Sequence, residues 1–449
     1  MKKLVFILAF CLPLLAQANS EKIDFVEYKL DNGLHVILQE DHTTPNIVVS
    51  VMYHVGSKNE KPELTGFAHF FEHLMFEGTK NIKRHEFDKY VTRVGGNLNA
   101  NTFFDRTYYY ELLPSNELAL GLWLESERML HPTIESIGIK TQKDVVCQEM
   151  GQSRDNRPYG RLLTETLKKA YTRHPYKHDV LGAEEHIRNA SDQDFIDFHN
   201  TFYVPNNAVL TIVGDFNVAE AKKLVHDYFN DIPAGAPVIQ PAIQEPAQKA
   251  EVRDTAYDNI QMPALIMAYH IPGMTSDDFY TVSMLNTLLA QGQSSRLYST
   301  IVNDKQMAME LAAMPLPLEH PGLSIILGLP NMNVQLNDLE HEIDKEVERL
   351  QNEPVSDREF QKLQNQIENQ LVSSNATIEA RAMNLASAYT YYKNTNQINE
   401  ELAKYRAITK TDLQNAAQKY FTKENRVVLY YLPKQNRNRP ERNYSGNKQ

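Results

Sequence analysis

Cysteine is almost absent from this chain, which has two in 449 residues, Cys11 and Cys147. Cys11 lies in an apolar N-terminal stretch that we expect to be removed, so a disulfide within the remaining chain is excluded. Cys147 then remains as a single thiol on a predicted helix. We interpret it as a small buried side chain, in preference to a redox centre or a metal ligand.

Long apolar runs are absent beyond the first residues. Residues 1–3 are basic at Lys2 and Lys3, residues 4–15 are mostly apolar, and residues 16–18 read Ala-Gln-Ala, a cleavage-type end. About twelve apolar residues are too few to span a bilayer stably, so residues 1–18 are predicted to be a signal peptide and not an anchor. We therefore expect an exported protein, periplasmic or secreted, with no membrane span.

An excess of positive charge is also lacking. Lysine and arginine total 46 against 57 acidic residues, and the formal net charge is −11. An acidic chain of this kind is a poor match for nucleic acid or for phosphate-rich substrates that are attracted by overall charge. The composition therefore favours neither a nucleic-acid-binding protein nor an enzyme of that substrate class.

What the chain does contain is the segment His69-Phe70-Phe71-Glu72-His73. Residues i and i+4 of a helix share one face, so His69 and His73 can direct two imidazoles at one metal ion, while Glu72 lies on the flank of that face. This is the HxxEH order of inverzincin metallopeptidases. The alternative is a pair of core-facing histidines on an amphipathic helix. We expect the helix to continue past Leu74 and to end at Gly78.

Together with the downstream sequence, this motif resembles the pitrilysin/insulinase family of zinc endopeptidases, and in particular its bacterial processing-peptidase-like members. The family carries HxxEH and then a ligand glutamate about 76 residues after the second histidine, a position held here by Glu149. The resemblance implies one Zn²⁺ per chain, bound by His69, His73 and Glu149, with Glu72 as the general base. Gln142 stands where the family often has a glutamate that supports the ligands, and a neutral amide can still hydrogen-bond there.

The resemblance extends to the segment that follows residues 95–96, a pair of glycines. In the family this segment is an edge strand that binds the substrate backbone, and its Asn-Ala-x-Thr start corresponds to Asn99, Ala100 and Thr102. From the residues alone we predict only a turn and a strand. Residues 174–176 and 180–182 match a further family stretch, for which we expect a structural role.

A duplication divides the chain. Ser191 begins a predicted helix that precedes a strand at residues 207–213, and Thr409, at an offset of 218 residues, begins an equivalent pair. We predict an α+β fold of two homologous tandem domains, each a largely antiparallel sheet packed with helices, that together form a clamshell. The predicted boundaries are a signal peptide (1–18), a metal-bearing domain (19–232), a proline-rich linker (233–250), a second domain without metal (251–433) and a polar tail (434–449).

The second half contains no HxxEH motif. In the family, the half without zinc supplies an arginine and a tyrosine that hold the substrate near the metal. The positions that we align with them carry Val302 and Met309. This departure resembles the zinc-bearing subunit of two-subunit members, so we expect a homologous metal-free partner that supplies the arginine and the tyrosine.

These expectations describe a zinc-dependent endopeptidase that cleaves peptides or unfolded segments with metal-activated water. Two alternatives stay open. The chain could be a catalytically inactive peptide-binding or assembly subunit, although such members typically lose the residues of the motif. It could also be a zinc hydrolase of non-peptide substrates, which HxxEH alone does not exclude.

Overall fold

Two β-sheets, one in each half of the chain, form the framework of the computed structural model, which describes residues 22–434. The predicted signal peptide, residues 1–18, and residues 435–449 of the predicted tail lie outside the described residues. The first sheet has the strand order β1-β2-β6-β3-β5-β4, and the second has the order β7-β11-β8-β10-β9. The strands are β1 (Val26–Lys29), β2 (His35–Glu40), β3 (Asn46–Tyr53), β4 (Asn97–Thr102), β5 (Thr107–Pro114), β6 (Ala208–Gly214), β7 (Val252–Asp258), β8 (Ala264–Ile271), β9 (Ala308–Leu316), β10 (Gly322–Pro330) and β11 (Arg426–Pro433).

Helices account for most of the remaining chain. The described α-helices are α1 (Phe67–Leu74), α2 (Phe87–Arg93), α3 (Leu118–Leu130), α4 (Ser136–Met150), α5 (Leu162–Ala170), α6 (Glu184–Asn189), α7 (Asp192–Phe202), α8 (Val218–Phe229), α9 (Asp277–Ala290), α10 (Leu336–Asn352), α11 (Asp357–Ser374), α12 (Ile378–Tyr392), α13 (Gln397–Ala407) and α14 (Lys410–Tyr420). Between the two sheets, the described residues 233–250 contain neither helix nor strand. Within residues 22–434, none of the helices is long and apolar enough to cross a membrane.

The two halves have equivalent topologies, apart from the additional edge strand β1 in the first. Each sheet is antiparallel except for one pair, β2 with β6 in the first sheet and β7 with β11 in the second. The helix before the last strand of each half begins with a capping box, formed by Ser191 and Asp194 on α7 and by Thr409 and Asp412 on α14. The predicted fold class is therefore confirmed: two homologous α+β units, each with a largely antiparallel sheet.

Both faces of each sheet are covered, which explains why its central strands are apolar at consecutive positions. On β3, Val49 and Val51 face the helices of the first half, while Val48 and Met52 face a separate apolar cluster. That second cluster contains Leu385 and neighbouring residues of α12, a helix that belongs to the second half of the chain.

The second sheet receives the reciprocal contact. Helix α5 of the first half packs on β8 and β11, where Leu167 joins Ile266 and Leu429 in one buried cluster. The offset of 218 residues places α5 onto residues 380–388, which lie inside α12. The two halves have therefore exchanged equivalent helices, and each sheet depends on the other half to cover one of its faces.

A buried polar cluster also joins the halves. Lys58, whose side chain is fully buried, forms ion pairs with Asp105 (Nζ to Oδ1, 3.2 Å) and with Glu319 of the β9–β10 connection. Glu319 also contacts His54 Nε2 at 2.8 Å, and Asp105 accepts a hydrogen bond from the hydroxyl of Tyr176 at 2.5 Å. The predicted structural role of residues 174–176 is consistent with this position at the contact between the halves.

Candidate metal centre

Helix α1 carries the HxxEH motif and is shorter than the sequence predicts. It begins at Phe67 after Gly66, whose φ of +91° is a left-handed conformation that suits glycine. It ends at Leu74, four residues before Gly78, so the expected end at Gly78 is wrong. The reason is that the amides of Phe76 and Glu77 bond to carbonyls three residues back, which tightens and closes the last turn.

One face of α1 is held by aromatic packing. Phe67 stacks on Phe195 of α7 with ring centroids 4.6 Å apart, and Phe70 lies 4.3 Å from the same ring. The hydroxyl of Tyr109 on β5 donates to the carbonyl oxygen of Phe71 at 2.9 Å. Because this face is fixed against the core, the other face of the helix has a defined direction, and His69 and His73 project from it.

Three donor atoms converge beside α1. His69 Nε2 and His73 Nε2 lie 3.4 Å apart, and the carboxylate of Glu149, near the end of α4, lies 3.6 Å from the first and 3.2 Å from the second. Among the described residues, these three form the one group of histidine, cysteine and acidic side chains close enough together to hold a metal ion. The structure thus brings together the three residues that the family resemblance implies as ligands.

The donor geometry fits zinc. A tetrahedral ion with bonds of about 2.0–2.1 Å has ligand atoms about 3.3 Å apart, which is close to the three observed separations. Two imidazole nitrogens and one carboxylate oxygen are also a donor set of catalytic zinc sites, in which a fourth position takes water. The triangle of donors is therefore compatible with a Zn²⁺ ion bound by three protein ligands.

The electrostatics of the triangle favour an ionised Glu149. Hydrogen bonds from His69 and His73 hold the pKa of that carboxyl far below its usual range, while partial burial opposes them. His69 is almost fully buried, and its Nδ1 has no hydrogen-bond partner within the described part of the chain. The orientation of the His69 imidazole is thus set by the packing around it and by the contacts of its Nε2 with His73 and Glu149.

Glu72, the predicted general base, is half-buried on the same helix. Its carboxylate lies near Tyr109: burial raises the pKa of that phenol, and the negative charge of Glu72 adds to the effect. Glu72 follows His69 by three residues and precedes His73 by one, which places it on the flank of the helix face from which both imidazoles project.

Gln142 and Cys147 lie on the same helix as Glu149, with different surroundings. Gln142 Nε2 donates to the buried carboxylate of Glu77 at 2.6 Å, and Glu77 is also paired with Arg84. The amide of Gln142 thus supports the segment that follows α1. Cys147 is a free, buried thiol, as the sequence predicts.

The predicted substrate-binding residues lie on β4, at one edge of the first sheet. β4 pairs with β5 on one side only, and within residues 22–434 its other side has no strand partner. Asn99 is exposed, Ala100 is buried, and Thr102 Oγ1 lies 3.5 Å from the carbonyl oxygen of Ala68 on α1. The edge strand therefore lies directly beside the helix that carries the motif.

Two positions that depart from the family pattern lie in the second half. Val302 is partly buried within a π-helical turn at residues 298–304, and Met309 is about half exposed on β9, the corresponding edge strand. Neither side chain can hydrogen-bond to a peptide as arginine or tyrosine would.

Sequence reasoning missed Glu60, a buried acid whose carboxylate binds the start of α1. No local capping rule covers an acid six residues before the helix start, so only the folded contacts reveal it.

Comparisons with known proteins cover most of the chain. Residues 35–184 match the family model described as Insulinase (Peptidase family M16), and residues 189–367 match the model described as Peptidase M16 inactive domain. The chain is similar to the zinc protease PqqE of Helicobacter pylori, with 29% identity over 411 residues that cover 90% of this chain and 92% of that protein.

Solved structures show the same architecture. A crystal structure of a protease from Helicobacter pylori superposes with a TM-score of 0.86 and 27% identity, covering 91% of this chain and 99% of that one. The first half of the periplasmic protease PqqL from Escherichia coli gives a TM-score of 0.76 with 19% identity, covering 92% of each chain. At the latter identity the likeness concerns the fold alone.

Proposed function

Since this chain belongs to the insulinase (M16) peptidase family, we propose that it is a zinc-dependent endopeptidase that cleaves peptides or unfolded segments. The observation that carries the proposal is the convergence of His69, His73 and Glu149 with separations that suit tetrahedral zinc. The family and the zinc-protease names of its relatives support the peptidase class.

In this mechanism His69, His73 and Glu149 would hold the zinc ion. Zinc, when bound, would supply Lewis acidity and lower the pKa of a water molecule towards 7. Glu72 accepts the proton of the attacking water, directs the attack at the scissile carbonyl, and returns the proton to the leaving amine.

The substrate in this proposal is an extended chain added to the first sheet at β4. The unpaired side of β4 offers backbone donors and acceptors, and residues 99–102 lie next to α1. Pairing through the backbone gives affinity with few demands on side chains, so unfolded segments of varied sequence are suitable substrates.

A second chain completes the active site in our proposal. Val302 and Met309 leave the second half without the arginine and tyrosine that the family uses to hold substrate. A homologous metal-free subunit would supply them in trans. We also propose that the protein is exported, because residues 1–18 resemble a leader and PqqL of Escherichia coli, which has the same fold, is a periplasmic protease.

The test is cleavage of a mixed library of unfolded peptides by the purified chain, with and without chelator, beside zinc analysis of the same sample. We expect about one zinc per chain and cleavage that chelator removes. Glu72→Gln should keep the zinc and lose at least about 100-fold in activity, since general-base catalysis contributes 10²–10⁴-fold. Glu185→Gln, at an exposed glutamate, is the matched control and should change neither property.

The outcomes separate the alternatives. A chain that binds no zinc would contradict the proposal and favour the inactive peptide-binding subunit. Bound zinc without cleavage would favour the obligatory partner, and full activity as a monomer would eliminate that partner. Cleavage that survives in Glu72→Gln would contradict the assignment of the base.

A further inference from the structure

The start of α1 has no cap from its neighbours in sequence. The residue before the helix is Gly66, which has no side chain that could accept hydrogen bonds from the free amides of the first turn. Glu60, six residues earlier, takes that role from the preceding loop. Its Oε2 accepts from the amide of Gly66 at 2.8 Å, and its Oε1 accepts from the amide of Ala68 at 2.9 Å.

Glu60 is enclosed as it makes these bonds. Only 6% of the residue is exposed, and burial raises the pKa of its carboxyl well above the usual range, although hydrogen bonds from the backbone amides at the start of α1 oppose this shift. A buried acid is costly unless its oxygens have partners. Here each oxygen has one: the amide of Gly66, the residue that precedes α1, and the amide of Ala68 in its first turn.

A second element fixes the same end of α1. A Cβ on Gly182 would lie 2.2 Å from the amide nitrogen of Gly66, and a Cβ on Gly66 would lie 2.5 Å from the carbonyl oxygen of Leu181. The hydroxyl of Thr65 accepts from the amide of Ala183 at 3.0 Å. The backbone of residues 181–183 therefore packs directly against residues 65–66 at the start of α1. The stretch 180–182 thus helps to hold the helix that carries the motif.

We propose that Glu60 is a positioning residue of the metal centre, which sets the direction of α1 and thereby aims His69 and His73 at the ion. The inference rests on the proposed zinc function. α1 has eight residues, about 12 Å of helix, so a small tilt at its start displaces both imidazoles. A metal site tolerates displacements of only about 0.5 Å in its ligands.

The test compares zinc affinity in the full chain of wild type and Glu60→Gln by competition with a chelator of known affinity. Glutamine keeps the size of the side chain but turns one acceptor into a donor that faces a backbone amide. We expect zinc to bind at least about tenfold more weakly, the lower end of the effect of losing an outer hydrogen-bond partner. On peptide substrates kcat should fall by a larger factor than KM changes, because pairing with β5 holds β4 in place.

Two further variants make the comparison specific. Glu60→Asp keeps two acceptor oxygens on a side chain shorter by one methylene, and we expect an affinity between those of wild type and Glu60→Gln, at least about threefold below wild type. Asp412→Asn neutralises the carboxylate of a helix cap in the second half of the chain, at the start of α14. It should lower thermal stability and leave zinc affinity unchanged.

Zinc affinity equal to wild type in Glu60→Gln, with only a lower unfolding temperature, would overturn the inference. If Glu60→Gln does not fold, Glu60→Asp decides in the same way, and loss of the fold in both variants would make the residue purely structural. A wild-type chain that binds no zinc would instead contradict the proposed function. The two failures are therefore distinguishable.

Discussion

Replacing Lys58 by methionine should destabilise the contact between the two halves. The ammonium group of Lys58 is completely buried between Asp105 of the first half and Glu319 of the second. Methionine fills a similar volume but has no charge. The change would leave two carboxylates facing each other in a buried space that the cation now neutralises.

The magnitude follows from the partners that remain. Removing one member of a buried ion pair typically costs about 3–5 kcal/mol. Asp105 would keep its hydrogen bonds from Tyr176 and from the amide of Glu319, and the Glu319 carboxylate would keep His54. Because these partners compensate in part, we expect a loss near the lower end, about 3 kcal/mol. Adding Glu319→Gln should recover part of it, since one of the two opposed charges is then gone.

Urea unfolding, followed by tryptophan fluorescence and by far-ultraviolet circular dichroism, measures this loss. The chain has a single tryptophan, Trp123 on α3, so fluorescence reports on the first half while dichroism reports on both. Lys223→Met is the matched control, because Lys223 and its partner Asp227 are largely exposed and such pairs contribute about 0–1 kcal/mol. If Lys58→Met cost less than about 1 kcal/mol, or no more than Lys223→Met, the reasoning would be refuted.

Three further predictions concern the same framework. Acid should destabilise the fold. Burial lowers the pKa of His174 to about 4, so below pH 6.5 the unfolded chain binds a proton that the folded chain does not bind, and up to about 3 kcal/mol of stability should be lost between pH 6.5 and 4. The partners His54 and Lys58 hold the pKa of Glu319 at about 2, which adds a further loss of stability below about pH 4.5. Urea titrations at several pH values check this, and stability that is flat from pH 7 to 4 would contradict it. Leu385→Ala on α12 should lower the free energy of unfolding in urea by about 2–5 kcal/mol, because that side chain is fully buried against the first sheet. A loss below about 1 kcal/mol would mean that packing of the exchanged helix α12 contributes little to stability. Ser191→Ala and Thr409→Ala should each cost about 1 kcal/mol in thermal unfolding, and a clear inequality between the two would show that the duplicated caps are no longer equivalent.

The elements that the sequence predicts well have strong local signals. The Asn32-Gly33 pair predicts the β1–β2 hairpin, and Gly33 indeed has a φ of +93°. The hydroxyl caps at Ser191 and Thr409 predict the starts of α7 and α14. The i, i+4 spacing predicts that His69 and His73 share one helix face, and the family resemblance adds Glu149 as the third ligand.

Other features depend on contacts that no local pattern carries. α12 packs between the first sheet and α13, so its sequence shows little amphipathic periodicity and does not predict the helix. The burial pattern of the edge strand β9 does not alternate, so no period of two residues in the sequence predicts this strand. Glu60 reads as one more acidic residue in a polar loop until the fold places its carboxylate on α1.

The exchange of α5 and α12 has a consequence for the origin of this chain. A half-length ancestor would have presented one apolar sheet face with no helix of its own to cover it. In a domain-swapped homodimer, each copy would have covered the exposed sheet face of the other with this helix. Fusion of the two genes would have made the swap permanent within a single polypeptide. One copy could then have kept the metal ligands while the other did without them.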